Sequence, residues 1–181
     1  YEVNISCPNV HAGGLVFGTD CAAAQDVCRA VKAETDKPVI MKLSPNVTDI
    51  VSIAKACEEA GADGLSLINT LMGMSIDVNK QKPVLGNVTG GLSGAAIRPV
   101  GVRMVYQVAQ AVSIPILGMG GICNWRDAIE YILAGAQMVS VGAANFANPM
   151  APLEVLEGIE RYCEEKGIED INDIVGKAWK E

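Results

Sequence analysis

Residues 114–136 read IPILGMGGICNWRDAIEYILAGA. The stretch opens on a short apolar run, Ile114–Gly118, with the length and character of a buried parallel strand. Gly118-Met119-Gly120-Gly121 turns the chain. Asn124 then stands where a helix N-cap belongs, and the helical pattern Asn124–Leu133 stops at Gly135. This strand–turn–helix unit recurs along the whole chain. The other strand candidates are Tyr1–Ser6, Pro38–Leu43, Gly64–Asn69 and Met138–Gly142. Helical stretches at Asp20–Glu34, Thr48–Ala60, Gly94–Val112 and Pro149–Lys166 alternate with them, and Ile168–Trp179 predicts a short further helix. The first helix is expected to align Ala22, Val27, Ala30 and Val31 on one face. The second is expected to start at a Thr48 cap and to turn Val51, Ala54 and Ala56 to one side.

Strands alternating with helices predict a parallel sheet with right-handed crossovers. Two α/β architectures satisfy the pattern. One is a doubly wound sheet of five strands, complete in itself. The other is the later portion of a (β/α)8 barrel, which needs eight units and about 250 residues. Spacing alone does not choose between them. No internal repeat, low-complexity tract or domain boundary interrupts the chain.

Composition narrows the function classes. Of 181 residues half are hydrophobic and only 4% aromatic, which suits helices packed closely on buried strands and argues against disorder. The formal charge is −7 and the 14 basic residues are scattered, so nothing draws the chain to nucleic acid or to an anionic membrane. No apolar run approaches the roughly 18–20 residues of a membrane helix, and no signal-peptide layout opens the sequence. Six cysteines stand at 7, 21, 28, 57, 123 and 163 without C-x-x-C spacing, and His11 is the only histidine. A zinc or iron–sulfur site within the chain is therefore not expected, and five of the thiols need be no more than core fillers. The chain enters directly into a strand-like run at Tyr1, without a methionine or a polar lead-in, so its natural start is expected to lie elsewhere.

The chemistry-bearing residues gather at the C-terminal ends of the strand candidates, where α/β folds place their sites. Lys42 ends the run Val39-Ile40-Met41-Lys42. A cation in such a run needs an anionic ligand or must snorkel to the surface. Asn69 and Thr70 close the third strand and can hydrogen-bond a planar polar ligand, although Asn also favours turns. Gly120-Gly121 and Gly142-Ala143 follow the fourth and fifth strands. Such turns occur in every α/β protein, but a consecutive pair offers backbone N–H groups to one phosphate. The pattern is not a dinucleotide fingerprint or a P-loop. Cys7 follows the first strand, between Asn4 and Asn9. A lone cysteine is commonly inert. One beside a glycine-rich segment, His11–Gly18, that could act as a lid is also a candidate base or nucleophile.

These residues also match a known family. Asn4-Ile5-Ser6-Cys7-Pro8-Asn9-Val10 resembles the active-site loop of class 1 dihydroorotate dehydrogenases. Ile116-Leu117-Gly118-Met119-Gly120-Gly121-Ile122, continuing to Ala134-Gly135-Ala136, resembles their second signature. Met41-Lys42-Leu43-Ser44-Pro45-Asn46, Ile68-Asn69-Thr70 and Gly90-Gly91-Leu92-Ser93-Gly94 fall between in the family's order, so the resemblance covers essentially the whole chain. It implies a (β/α)8 barrel that binds FMN, of which residues 1–181 would be the last five βα units of a single domain, beginning at the fourth strand.

By the same resemblance Cys7 would take the proton from C5 of dihydroorotate while hydride leaves C6 for the flavin. Asn4, Asn9, Asn69 and Thr70 would hold the pyrimidine. Lys42 would face the flavin N1–O2 edge, Ile68 and Gly94 would offer backbone contacts to the flavin, and Gly120, Gly121, Gly142 and Ala143 would cradle its phosphate. At position 143 the family usually carries threonine. Alanine keeps the N–H and removes a hydroxyl, so weaker flavin retention is expected rather than loss of the site. The run Gly90–Pro99 followed by Met104-Val105-Tyr106-Gln107 is similar to the NAD-linked class 1B. That class implies a cytoplasmic homodimer within a heterotetramer, whose electron-transfer subunit carries FAD and a [2Fe–2S] cluster. The fumarate-reducing class 1A is the nearest alternative. A dihydropyrimidine-oxidising flavin barrel and a non-catalytic phosphate-binding fragment are more distant ones.

Overall fold

A computed structural model describes residues 1–6 and 17–180. Its main sheet joins β1 (Glu2–Asn4), β2 (Ile40–Lys42), β3 (Gly64–Leu67), β8 (Ile116–Met119) and β9 (Met138–Ser140), in that spatial order and all parallel. Helices α1 (Cys21–Ala33), α2 (Ile50–Glu59), α3 (Arg98–Ala109), α4 (Trp125–Ala134) and α6 (Ala151–Lys166) follow successive strands, with a one-turn α5 (Ala144–Ala147) before the last. α1 packs on α2, α2 on α3, α3 on α4 and α4 on α6.

This layout separates the two architectures that spacing left open. A doubly wound sheet reverses its strand order and carries helices on both faces. Here the order never reverses and each helix packs on the next, as in a barrel wall. The two faces of the sheet differ accordingly. Met41, Leu65, Leu67 and Ile116 point to the helices and are fully buried. Each such side chain contributes roughly 1.5–3 kcal/mol of hydrophobic stabilisation. Asn4, Lys42, Ser66, Leu117 and Met138 form one register row on the opposite face. That row is polar at one end, and Met138 at the other is 48% exposed.

The helices form where local chemistry directs, with some departures from expectation. α4 starts in a full capping box, in which Asn124 caps the first turn and Asp127 reaches back to the Asn124 N–H. α2 is capped by Asp49, not Thr48. The Asp49 carboxylate accepts from the amides of Val51 and Ser52, and a carboxylate serves that purpose better than threonine. α1 buries Ala24 and Cys28, with Val27 and Val31 at the margin, whereas Ala22 and Ala30 are exposed. The stretch expected as one helix from Gly94 opens with a 3-10 turn, Ala95–Ile97, before Arg98-Pro99 starts α3. Only a 3-10 turn, Ile171–Ile174, forms in the last stretch. It covers a small satellite core of Ile129, Ile132, Ile174 and Val175.

One region has no counterpart in the sequence reading. Between β3 and α3 the chain makes two antiparallel pairs, β4 (Leu71–Met74) with β7 (Thr89–Leu92) and β5 (Ile76–Asp77) with β6 (Lys82–Pro83). Strands of two to four residues carry too little alternation to register as a pattern. Among the described cysteines, Cys28 and Cys57 are buried and Cys21 and Cys163 half-buried, but Cys123 is exposed and is no core filler. Among the described residues, no helix is long and apolar enough to cross a membrane.

Candidate active site

The strand C-termini end on one rim. Parallel pairing sets Asn4 beside Lys42 and Lys42 beside Ser66. Beyond the strands, the Ile68 N–H donates to the Met119 carbonyl at 2.9 Å and the Asn69 N–H to the Leu43 carbonyl at 3.0 Å. These bonds lock the ends of β2, β3 and β8 together. A cleft of about 250 Å³ opens above the rim. Lys42, Ile68, Asn69, Thr70, Gly94, Gly120, Gly121, Gly142 and Ala143 all line it. Asn4 adjoins it through Asn69. Cys7, Asn9 and residues 11–16 of the proposed lid segment His11–Gly18 lie outside the described residues.

Asn69 is the hub of the polar network. Its Nδ2 donates to Asn4 Oδ1 at 3.0 Å and to Ser6 Oγ at 2.8 Å, while its Oδ1 accepts from the Thr70 N–H at 2.8 Å. The amide orientation is therefore held from both ends. Asn46 performs the same service one loop away, donating to the Thr70 carbonyl at 3.0 Å and accepting from the Met72 N–H at 2.8 Å. Glycine at position 91 lets β7 close on this turn, because a Cβ there would overlap the Thr70 side chain. Asn46 received no role from the sequence.

Lys42 has a protein partner that the sequence reading missed. Glu2 Oε1 lies 2.9 Å from its Nζ, and both side chains are partly exposed. Glu2 was legible in principle: the two-residue strand period puts it on the same face as Asn4, and Asn4 stands beside Lys42. Ser66, next in that row, is fully buried and its hydroxyl has no partner among the described residues. Ser93, Ile97, Met119 and Ser140 also line the cleft without having been anticipated.

The glycine turns offer backbone rather than side chains. Gly120 and Gly121 have φ of 121° and 75°, values that side-chain-bearing residues rarely adopt. A Cβ on Gly121 would stand 2.6 Å from the Gly94 carbonyl oxygen. Space above Gly142 is open. Beneath the turn, buried Asp127 accepts from the amides of Cys123 and Asn124 and pairs with Arg98 at the start of α3. The carboxylate thus ties the glycine turn to the segment carrying Gly94. Elsewhere, burial pushes the Cys57 thiol up to about 12 and the Cys28 thiol in the same direction, so neither is a ready nucleophile.

The sequence model of the family described as dihydroorotate dehydrogenase matches residues 1–163. The chain belongs to the dihydroorotate dehydrogenase family. Among its relatives, the protein named dihydroorotate dehydrogenase B (NAD(+)), catalytic subunit, of Desulforamulus reducens is 64% identical over 177 residues. The alignment takes in 98% of this chain and 58% of that relative. The protein of the same name from Brachyspira hyodysenteriae is 60% identical over 178 residues, covering 98% of this chain and 59% of its own length. A solved structure of DHODH from Eimeria tenella in complex with ferulenol superposes with a TM-score of 0.83 at 22% identity, over 99% of this chain and 54% of that one. The chain thus spans somewhat more than half the length of these relatives, and its five-stranded sheet is a segment of a (β/α)8 barrel.

Proposed function

We propose that this chain contributes the later βα units of an NAD-linked, class 1B dihydroorotate dehydrogenase, which oxidises dihydroorotate to orotate in pyrimidine synthesis. The observation that carries the reading is convergence. A lysine, two linked asparagines and two turns of glycine-rich backbone, spread in sequence from Asn4 to Ala143, meet at one cleft on the strand C-termini.

The residues present fit FMN. Gly120 and Gly121, which could not accept a Cβ without strain, line the cleft with backbone, and the open space above Gly142 leaves room for a phosphate. Among the described residues, no hydrogen bond outside the helices and strands uses the amides of Gly121, Gly142 and Ala143. Gly120, Gly121, Gly142 and Ala143 would hold the phosphate, Ile68 and Gly94 would contact the ring system through their backbone, and Lys42 would sit at its N1–O2 edge. When bound, FMN supplies the hydride acceptor for C6 of the substrate. Lys42 would hold a positive charge beside the ring system, where it would favour negative charge on the flavin. Asn4, Asn9, Asn69 and Thr70 orient the pyrimidine, and the Asn4–Asn69–Ser6 network keeps two of these amides aligned before substrate arrives. Cys7, following Ser6, serves as the base that takes the C5 proton. A partner subunit would carry FAD and a [2Fe–2S] cluster and would supply the electron transfer to NAD, in a cytoplasmic heterotetramer built on a homodimer of the catalytic chain.

The test is an absorption spectrum of the full-length protein followed by anaerobic titration with dihydroorotate. A bound flavin that bleaches is expected. Bleaching only by dihydrouracil with a nicotinamide donor would move the protein to dihydropyrimidine chemistry. Absence of flavin would leave a phosphate-binding barrel piece without catalysis.

A further inference from the structure

The phosphate cradle has a support that touches no ligand. Tyr131, in α4, is fully buried. Its hydroxyl donates to the Gly120 carbonyl oxygen at 2.8 Å and lies 3.2 Å from that of Met119. The Met119 carbonyl also accepts from the Ile68 N–H. In a trans peptide the C=O and N–H of one unit point in opposite directions. Holding the Gly120 carbonyl toward α4 therefore turns the N–H of Gly121, which belongs to the same peptide unit, the other way, toward the cleft that this glycine lines. The space for this ring is made by two glycines. A Cβ on Gly118 would stand 2.7 Å from the ring, and one on Gly101 in α3 would overlap the hydroxyl itself. Burial pushes the phenol well above its ordinary range, so it remains a donor throughout the working pH range.

We propose that Tyr131 is a positioning residue for the phosphate site, its hydroxyl orienting the Gly121 amide toward the phosphate of FMN. The inference rests on the flavin reading of the cleft. It makes a demand that a purely structural tyrosine would not meet: loss of the hydroxyl should weaken binding of the phosphorylated flavin selectively.

The test uses full-length apoprotein and compares its dissociation constants for FMN and for riboflavin, which lacks the phosphate. In Tyr131→Phe the ring still fills the core. FMN binding should weaken by on the order of tenfold, with riboflavin binding unchanged, so that the preference for FMN falls by that factor. Gly101→Ala, whose methyl group would displace the hydroxyl from outside the cleft, should lower the same ratio. It carries the measurement if Tyr131→Phe does not fold. Equal weakening of both ligands, or a lower thermal midpoint with the ratio intact, would overturn the inference and leave the flavin reading standing. Failure of the wild type to bind either flavin would instead remove the flavin reading and this inference with it.

Discussion

Single atoms decide how the site would work. Serine in place of Cys7 keeps the side-chain shape and removes a base whose ordinary pKa is about 8.5. Anaerobic reduction of bound FMN by dihydroorotate should then slow by at least about a hundredfold, with FMN still retained. Stopped-flow absorbance checks this, and an unchanged rate would take Cys7 out of the mechanism. Ala143 is the complementary case. Its φ of −56° and ψ of −28° suit threonine without strain. A hydroxyl added there should tighten FMN binding by roughly 0.5–1.5 kcal/mol, the net worth of one hydrogen bond. Fluorescence titration of Ala143→Thr with FMN reads the gain directly, and no gain would mean that the phosphate does not reach residue 143. At this scale the sequence was informative about residue type and poor about pairing. Lys42 announced itself as a charge in an apolar run, yet Glu2, its partner, is a short-range fact only once β1 and β2 are laid side by side.

At the scale of elements, caps and close approaches hold the scaffold in place. The Ser52 hydroxyl and the first amides of α2 hold the Asp49 carboxyl below its ordinary value. A group whose folded pKa is depressed stabilises the fold above its unfolded pKa, and loses that contribution as pH falls through the folded value. The wild type should therefore exceed Asp49→Asn in stability above about pH 5, with the difference closing at lower pH. Denaturant titrations of the full-length protein across that range check the sign. A difference independent of pH would mean that the carboxylate's charge is not what matters. Helices and strands of the repeating unit were legible because their periods and caps are local. The 71–92 excursion was not, because its strands are short and their pairing is antiparallel between segments up to about twenty residues apart. Thr48 and Asp49 show the limit in miniature: both are cap formers, and only backbone geometry selects between neighbours.

For the whole molecule, the sheet is asymmetric. Helices bury one face, while the other carries polar residues toward the cleft and an exposed Met138. β1 and β9 each have one unpaired edge among the described strands. Open parallel edges and an uncovered sheet face favour association. A polypeptide of these 181 residues alone is expected to self-associate or to unfold at low denaturant. Sedimentation velocity and urea titration test this, and a monodisperse, cooperatively unfolding monomer would overturn it. Within the full-length protein, the same face is expected to be closed by the rest of the barrel.

Hydrophobic period, capping residues and glycine turns, all properties of neighbours along the chain, were enough to establish an alternating α/β chain with its polar groups at strand ends. They could not distinguish a doubly wound sheet from a barrel wall, because that choice lies in the order and handedness with which distant strands pair. Tertiary structure alone determined that Glu2 pairs with Lys42, that Asn69 aligns Asn4, and that a tyrosine in the helix after β8 braces the glycine turn before it. Each of these is a contact between side chains or backbone groups whose separation in space is unrelated to their separation in sequence.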